Sequence, residues 1–257
     1  MRPALHFPTL AAAAAAVLLT SVGRGADSAA ELMQKGDVFY ARLQPAEALK
    51  FYLPAEKLDP ENARLLVRIA RQYRHLMSDA AKREDKVRLG GIAVEYARRA
   101  AVLAPNDPEA HLALAISCGK LLPLQGSKEQ VANSAVIKSA VDKVLALDPR
   151  NDLAWEVLGR WYLNLAEVGA VRRALAQVAY GKLPAAKYED AERCFLKAIE
   201  LNPNRLMHSI ELGRTYAQMG RDAEARKFIA KGLAMEETEK DDPETKNSGR
   251  EILKKLH

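Results

Sequence analysis

The chain has 257 residues, of which 49% are hydrophobic, 28% charged and 6% aromatic, with a formal net charge of +6. That is enough apolar material for one large domain or two small ones, and the scarcity of β-branched and aromatic residues argues against an all-β fold. Two cysteines, Cys118 and Cys194, exclude a disulfide framework and a four-thiolate zinc site, and 39 basic against 33 acidic side chains is too even a balance to point to nucleic acid. Residues 1–25 come first in chain order. Arg2, a run through Thr9, Leu10, six alanines and Val17-Leu18-Leu19, and small residues from Ser21 to Ala26 make the pattern of a secretory signal peptide. The apolar run is shorter than the ~20 residues a membrane-spanning helix needs. The expectation is export to a periplasmic or extracellular location, with an uncleaved N-terminal membrane anchor as the alternative. Cleavage would remove Arg2 and Arg24 and leave a charge of +4. No later segment reads as a membrane span.

The rest of the chain repeats. Gly36-x2-Phe39 is followed by Ala48-x3-Tyr52-x2-Ala55 and Pro60, and Leu66-x2-Ile69-Ala70-x2-Tyr73 by Ala93-x3-Ala97-x2-Ala100 and Pro105. A third unit has Leu114-Ala115-x2-Cys118 and closes at Pro149. The fourth is clearest: Trp155-x2-Leu158-Gly159-x2-Tyr162, then Ala191-x3-Phe195-x2-Ala198 and Pro203. A fifth carries Leu212-Gly213-x2-Tyr216 and Ala225. This is the tetratricopeptide signature, in which glycine or alanine lets two helices approach, an aromatic fills the space beside them, and proline ends the second helix. Asn62, Asp107, Asp152 and Asn204 are candidate caps for the helices that follow.

The predicted architecture is an all-α, right-handed solenoid of helical hairpins, with repeats near 29–62, 63–107, 108–151, 152–205 and 206–235. An acidic, solvated linker (236–242) and a capping helix (Pro243 to Leu256) complete it, the cap covering the stack end with Ile252, Leu253 and Leu256. The spacing from first-helix aromatic to second-helix alanine is 9 residues in the outer repeats but 20, 19 and 29 in the middle three. Additions close to whole turns predict lengthened helices in the second and third repeats. Ser127-x2-Gln130 reads as a capping box, and Gly169 to Gly181 as an insertion with a short helix containing Arg172-Arg173.

From Ser127 to Ala225 the chain resembles the regulator of microtubule dynamics proteins, a tetratricopeptide-like family. The likeness rests on Ser127-Lys128-Glu129, Ile137-Lys138, Leu147-Asp148-Pro149, Trp155 to Tyr162, Ala166-Glu167, Arg172-Arg173, Tyr188-Glu189-x-Ala191 and Leu212-Gly213-x-Thr215-Tyr216. The long insertion after Tyr162 sits where that family has one. The resemblance implies the fold, and by analogy alone an association with microtubules.

No phosphate loop, nucleophile elbow or metal-ligand spacing is present, so no enzyme activity, cofactor or metal is expected. His111 stands in the slot of Trp155 and reads as core, and both thiols read as buried structural residues, with pairing left open. First helices of such repeats line a concave groove. The inward side chains expected are Arg68, Arg71, Arg160 and Arg214, with Tyr40 near the entrance and Leu112, Ile116, Leu153, Met207 and Ile210 between them. Arginine forks suit carboxylate or phosphate and the apolar residues suit a hydrophobic side chain or acyl tail. The reading is therefore a non-catalytic scaffold binding a peptide or protein. An anionic lipid-like ligand in the same groove is the alternative: a lipid needs those apolar residues gathered in a closed cavity, a peptide an open arginine-lined trough. The arginines could equally be solvated or paired with Glu109, Glu156 and Glu211.

Overall fold

A computed structural model describes residues 27–169 and 184–256. The N-terminal signal-like segment and the insertion helix expected at 170–175, with Arg172 and Arg173, lie outside the described residues. Among the described residues the chain forms eleven α-helices and no strand. They are α1 (Ala29–Ala41), α2 (Pro45–Leu58), α3 (Ala63–Asp79), α4 (Arg83–Leu103), α5 (Pro108–Leu121), α6 (Ser127–Leu147), α7 (Asp152–Ala166), α8 (Tyr188–Leu201), α9 (Leu206–Gln218), α10 (Asp222–Ala234) and α11 (Asp242–Leu253). Consecutive pairs make five antiparallel hairpins, and α11 packs on α9 and α10. First helices touch across repeats (α3 with α5, α5 with α7, α7 with α9), whereas second helices do not reach one another to the same extent. The stack therefore curves with α1, α3, α5, α7 and α9 on its inner, concave side.

The lengthened helices are present: α4 and α6 each run 21 residues and α3 runs 17. Each signature glycine marks a close helix crossing. A Cβ on Gly159 would stand 2.8 Å from Phe195 Cε1, and one on Gly213 would stand 2.5 Å from Ile229 Cγ1 and 3.0 Å from the Ala225 carbonyl. Phe195 and its counterpart Tyr52 are completely buried. Burial of such rings stabilises each hairpin by about 1.5–3 kcal/mol.

Helix starts follow side-chain chemistry only in part. Asn62 accepts from Leu65 N–H at 3.1 Å and Asp107 from Glu109 N–H at 2.9 Å, as expected. In the fourth repeat the cap is Asn151, which accepts from Ala154 N–H at 3.0 Å, so Asp152 is already helical. Neither Asn204 nor Ser127 caps a helix. Arg205 and Gly126 hold those places, and Gln130 turns back to donate to the Gln125 carbonyl. A capping box does exist at Ser28 with Glu31.

His111 is a correction of a different kind. It is half-buried, and its Nε2 lies 2.9 Å from the Pro105 carbonyl, matching the 2.9 Å bond that Trp155 Nε1 donates to the Pro149 carbonyl. The shared slot fastens the preceding inter-repeat turn; Trp155 also packs against the core there, whereas His111 does not belong to it. Both cysteines are buried free thiols, with pKa pushed up by burial to about 11 for Cys118 and about 12 for Cys194. The ring that ties α7 to α6 is Trp161, whose Nε1 donates to the Ser134 carbonyl at 3.0 Å, while Tyr162 is only half-buried.

Candidate functional site: the concave face

The stripe Arg64, Arg68, Arg71, His75 and Ser78 recurs at spacings of four and three residues and so lies along one side of α3. At its upper end, α1, α3 and the start of α5 enclose an open cleft of about 660 Å³ lined by Asp37, Tyr40, Arg64, Val67, Arg68, Arg71, Gln72, Asp107 and Glu109. Three of the expected groove residues meet here. Arg68 donates through Nε to Asp37 Oδ1 at 2.8 Å, and Asp37 also accepts from the Tyr52 hydroxyl at 2.6 Å. Arg71 donates to the Tyr40 hydroxyl at 2.6 Å, its guanidinium lies 5.4 Å from that ring's centre, and it pairs with Glu109 at 3.8 Å. Arg64, at the rim and exposed, was not singled out from the sequence.

The lower half of the face is built differently. Glu156 is buried on α7 and accepts from Arg160 at 3.4 Å, while Arg160 also lies 3.9 Å from Glu211 on α9. Arg214 pairs with Glu211 at 3.7 Å and donates two bonds to Glu167, at 3.0 and 3.1 Å. Burial raises the Glu156 carboxyl above its ordinary range against the pull of Arg160, and Glu211 first, then Glu156, holds Arg160 firmly protonated. Three of the four expected arginines thus face Glu109, Glu156 and Glu211. Arg160 and Arg214 form a ladder across α7 and α9, separate from the upper cleft.

The apolar part of the expected groove wall needs correction. Leu112 is 3% exposed and sits in the core between α5, α6 and α7. Ile210 is 2% exposed, held between Gly232 of α10 and Gly249 of α11, where Cβ atoms would stand 2.5 and 3.3 Å from its side chain. Ile116 and Leu153 are half-buried and pack against the same core as Leu112, and Met207 is half-buried on α9. Leu112, Ile116, Leu153 and Ile210 face neighbouring helices because the repeats twist relative to one another, turning part of each inner face into an inter-repeat contact.

The acidic stretch after α10 is only partly a solvated linker. Glu236 to Glu239 are exposed, but the chain then crosses the inner face and is fastened there. Asp241 accepts from the Ser78 hydroxyl at 2.9 Å and from Lys120 Nζ at 2.7 Å, and Lys120 also donates to Ser78. Lys240 pairs with Asp79 at 2.9 Å and Glu239 with Arg205 at 2.9 Å. Arg205 in turn donates to Asp152 at 2.9 Å, and the same carboxylate oxygen meets His208 Nε2 at 2.9 Å and Asn202 at 3.1 Å. Burial works to raise the Asp241 carboxyl, but Lys120 and the hydrogen bonds from Lys120 and Ser78 more than offset it, leaving the group below its usual range. Burial lowers Lys120 and, more strongly, His75, which is therefore neutral. Asp242 closes the turn by accepting from Thr238 and Glu239 N–H, each at 2.8 Å. Ser78, Lys120 and Arg205 carry no local motif; the legible signal was the α3 periodicity continuing from Arg71 to Ser78.

Among the described residues, five helical hairpins and a final helix, with small-residue crossings and a polar inner face, define a tetratricopeptide-like solenoid. A tetratricopeptide protein of Thermus thermophilus superposes with a TM-score of 0.64 at 18% identity, covering 87% of this chain and 99% of that one, which shows the shared fold. A chain of the MamA protein of Desulfovibrio magneticus superposes at 0.53. The chain belongs to the family described as regulator of microtubule dynamics protein 1-3, which it matches over residues 32–257. It is 28% identical to the mouse regulator of microtubule dynamics protein 1 over 227 residues, 87% of this chain and 73% of that protein. The bovine protein 1 is 30% identical over 192 residues, 74% of this chain and 60% of that protein. Among the described residues no group of side chains could hold a metal ion and no helix is long and apolar enough to cross a membrane.

Proposed function

We propose that this chain is a non-catalytic scaffold that binds a peptide or protein partner along its concave face. The observation that carries the reading is the open cleft at the upper end of α3, where Arg64, Arg68 and Arg71 stand beside Tyr40 and three carboxylates. Donors on α3 set between acceptors on α1 and at the start of α5 suit an extended polypeptide, whose backbone and side chains offer both. A lipid-like ligand would require an enclosed apolar wall, and Leu112 and Ile210 are committed to the inter-helix core. A microtubule role rests on the names of the relatives alone. Export, read from residues 1–25, is part of the same proposal and is tested by N-terminal sequencing of the protein recovered from cell fractions. The groove is tested by charge reversal: Arg64→Glu with Arg71→Glu in the full chain, folded by circular dichroism, should lose most capture of a partner that the unmodified chain retains. Undiminished capture would place the binding surface elsewhere.

A further inference from the structure

The lower end of the α3 stripe is already filled. Asp241 reaches it from 163 positions away in sequence, and two basic side chains turn their charge toward that carboxylate, Lys120 by a direct bond and Arg74 electrostatically, with the neutral His75 beside them. Arg74 is buried on the neutral partners Ser117 and the Ala113 carbonyl, with no carboxylate bonded to it. His75 is 9% exposed, and its Nδ1 is buried without a hydrogen-bond partner. With Asp241 withdrawn, α3 and α5 would present two hydrogen-bond donors, Ser78 and Lys120, backed by a buried guanidinium and an unpartnered imidazole. That set recognises a carboxylate whatever chain carries it.

We infer that the cluster of His75, Ser78 and Lys120 is a carboxylate subsite of the partner-binding face, occupied in cis by residues 239–241 and opened when an acidic extended segment of a partner displaces them. The inference rests on the reading of the concave face as a protein-binding surface and names the partner's chemistry: an acidic side chain in an extended stretch. The chain supplies its own sample ligand, since Glu239 and Asp241 take a guanidinium and an ammonium two residues apart. Displacement is feasible because Glu236 to Glu239 are exposed and Lys240 and Asp241, half-buried, are held by polar bonds in place of an apolar core, with the buried Asp242 at the start of α11 staying in place.

The test uses the full chain and a fluorescein-labelled synthetic peptide of residues 235–243. Tethering gives the cis segment a millimolar effective concentration, so the unmodified chain should bind the peptide weakly, and Asp241→Asn should bind it about tenfold or more tightly. Glu239→Gln with Lys240→Gln loosens the segment without leaving Lys120 unpaired, and should show a gain in the same direction if Asp241→Asn fails to fold. Lys120→Gln placed in either loosened background should abolish the gain, and so should a peptide with asparagine at its Asp241 place. Folded, loosened variants that bind no better than the unmodified chain, or a gain indifferent to Lys120, would overturn the inference. Partner capture that depends on Arg64 and Arg71 but not on Lys120 would remove this subsite and leave the wider groove reading standing; capture indifferent to all three would remove both.

Discussion

The two ends of the concave face use the same residue type to opposite effect. In the upper half, Arg68 and Arg71 at the inner positions of α3 stand over an open cleft, each answered by a neighbour that solvent also reaches. In the lower half, Arg160 and Arg214 face carboxylates that neighbouring helices have largely buried, Glu156 being 2% and Glu211 9% exposed. The repeat position is shared, so the difference comes from what lies over it. Only the lower half has a later helix, α11, and a returning segment to cover it. A solenoid's inner face is thus a binding surface where it is left open and part of the interior where the chain comes back across it.

The strongest way to test that contrast is to empty equivalent core positions. Phe195→Ala and Tyr52→Ala should each cost about 3–5 kcal/mol by urea denaturation. Repeat stabilities propagate through nearest neighbours, so Tyr52→Ala should fray the first hairpin separately, while Phe195→Ala should lower the main transition. Equal, single transitions for both would show that the two halves unfold as one unit.

Next in size is the fastening of the returning segment. Lys120→Ala leaves the Asp241 carboxylate with Ser78 alone and should cost about 1–2 kcal/mol, the partial exposure of both groups being allowed for. A double-mutant cycle with Asp241→Asn should return most of that as coupling. The corresponding cycle on Arg71 and Glu109 should return less than about 0.5 kcal/mol and vanish in high salt. Similar couplings at the two sites would erase the distinction between open and covered halves.

Acid should act on the covered part first. Burial keeps the folded-state pKa of His75 below its unfolded value near 6.5, so the unfolded chain takes up the proton first and stability falls as the pH drops through that range. Arg71, Arg74 and Lys120 oppose protonation there, and Asp241 favours it. Asp152 is held down to about 2: burial raises it, but the His208 bond and the Arg205 charge more than offset this. Its contribution is complete above about pH 4 and is lost between there and about 2. Glu156, raised by burial, works in the opposite sense. His75→Gln should remove the first acid-dependent loss in thermal melts and leave the second; an unchanged profile would exclude His75 as its source.

The smallest effect distinguishes the first and fifth hairpins. Both turns require a residue in the left-handed region four positions after the first-helix aromatic: Gly220 at φ 71° and Leu43 at φ 55°. Leu43→Gly should stabilise the first hairpin by no more than about 1 kcal/mol, the strain relieved being partly offset by the freer unfolded chain. A loss of stability would mean that the half-exposed Leu43 side chain contributes more by packing than its backbone costs.

What the sequence determined by itself is the repeat: the helical hairpins, the lengthened helices of the second and third units, and the small residues and aromatics at which paired helices meet. These depend on periodicity and on small residues meeting large ones within a few dozen positions, and such contacts are written locally. Pairing of the inner arginines with Glu109, Glu156 and Glu211 stood in the sequence only as an alternative to solvated or ligand-binding arginines; the structure pairs Arg160 with Glu156 and Arg214 with Glu211 along one helix, and Arg71 with Glu109 and Arg160 with Glu211 between helices. What only the tertiary structure decided depends on the path of the whole stack. Leu112 and Ile210 left the inner wall because the twist between repeats turned them toward neighbouring helices. The meeting of Asp241 with Ser78 and Lys120, across 163 and 121 positions, needs several repeats' worth of accumulated curvature before the chain can return over its own face. No local pattern encodes that sum, and it separates the covered half of the concave surface from the open one.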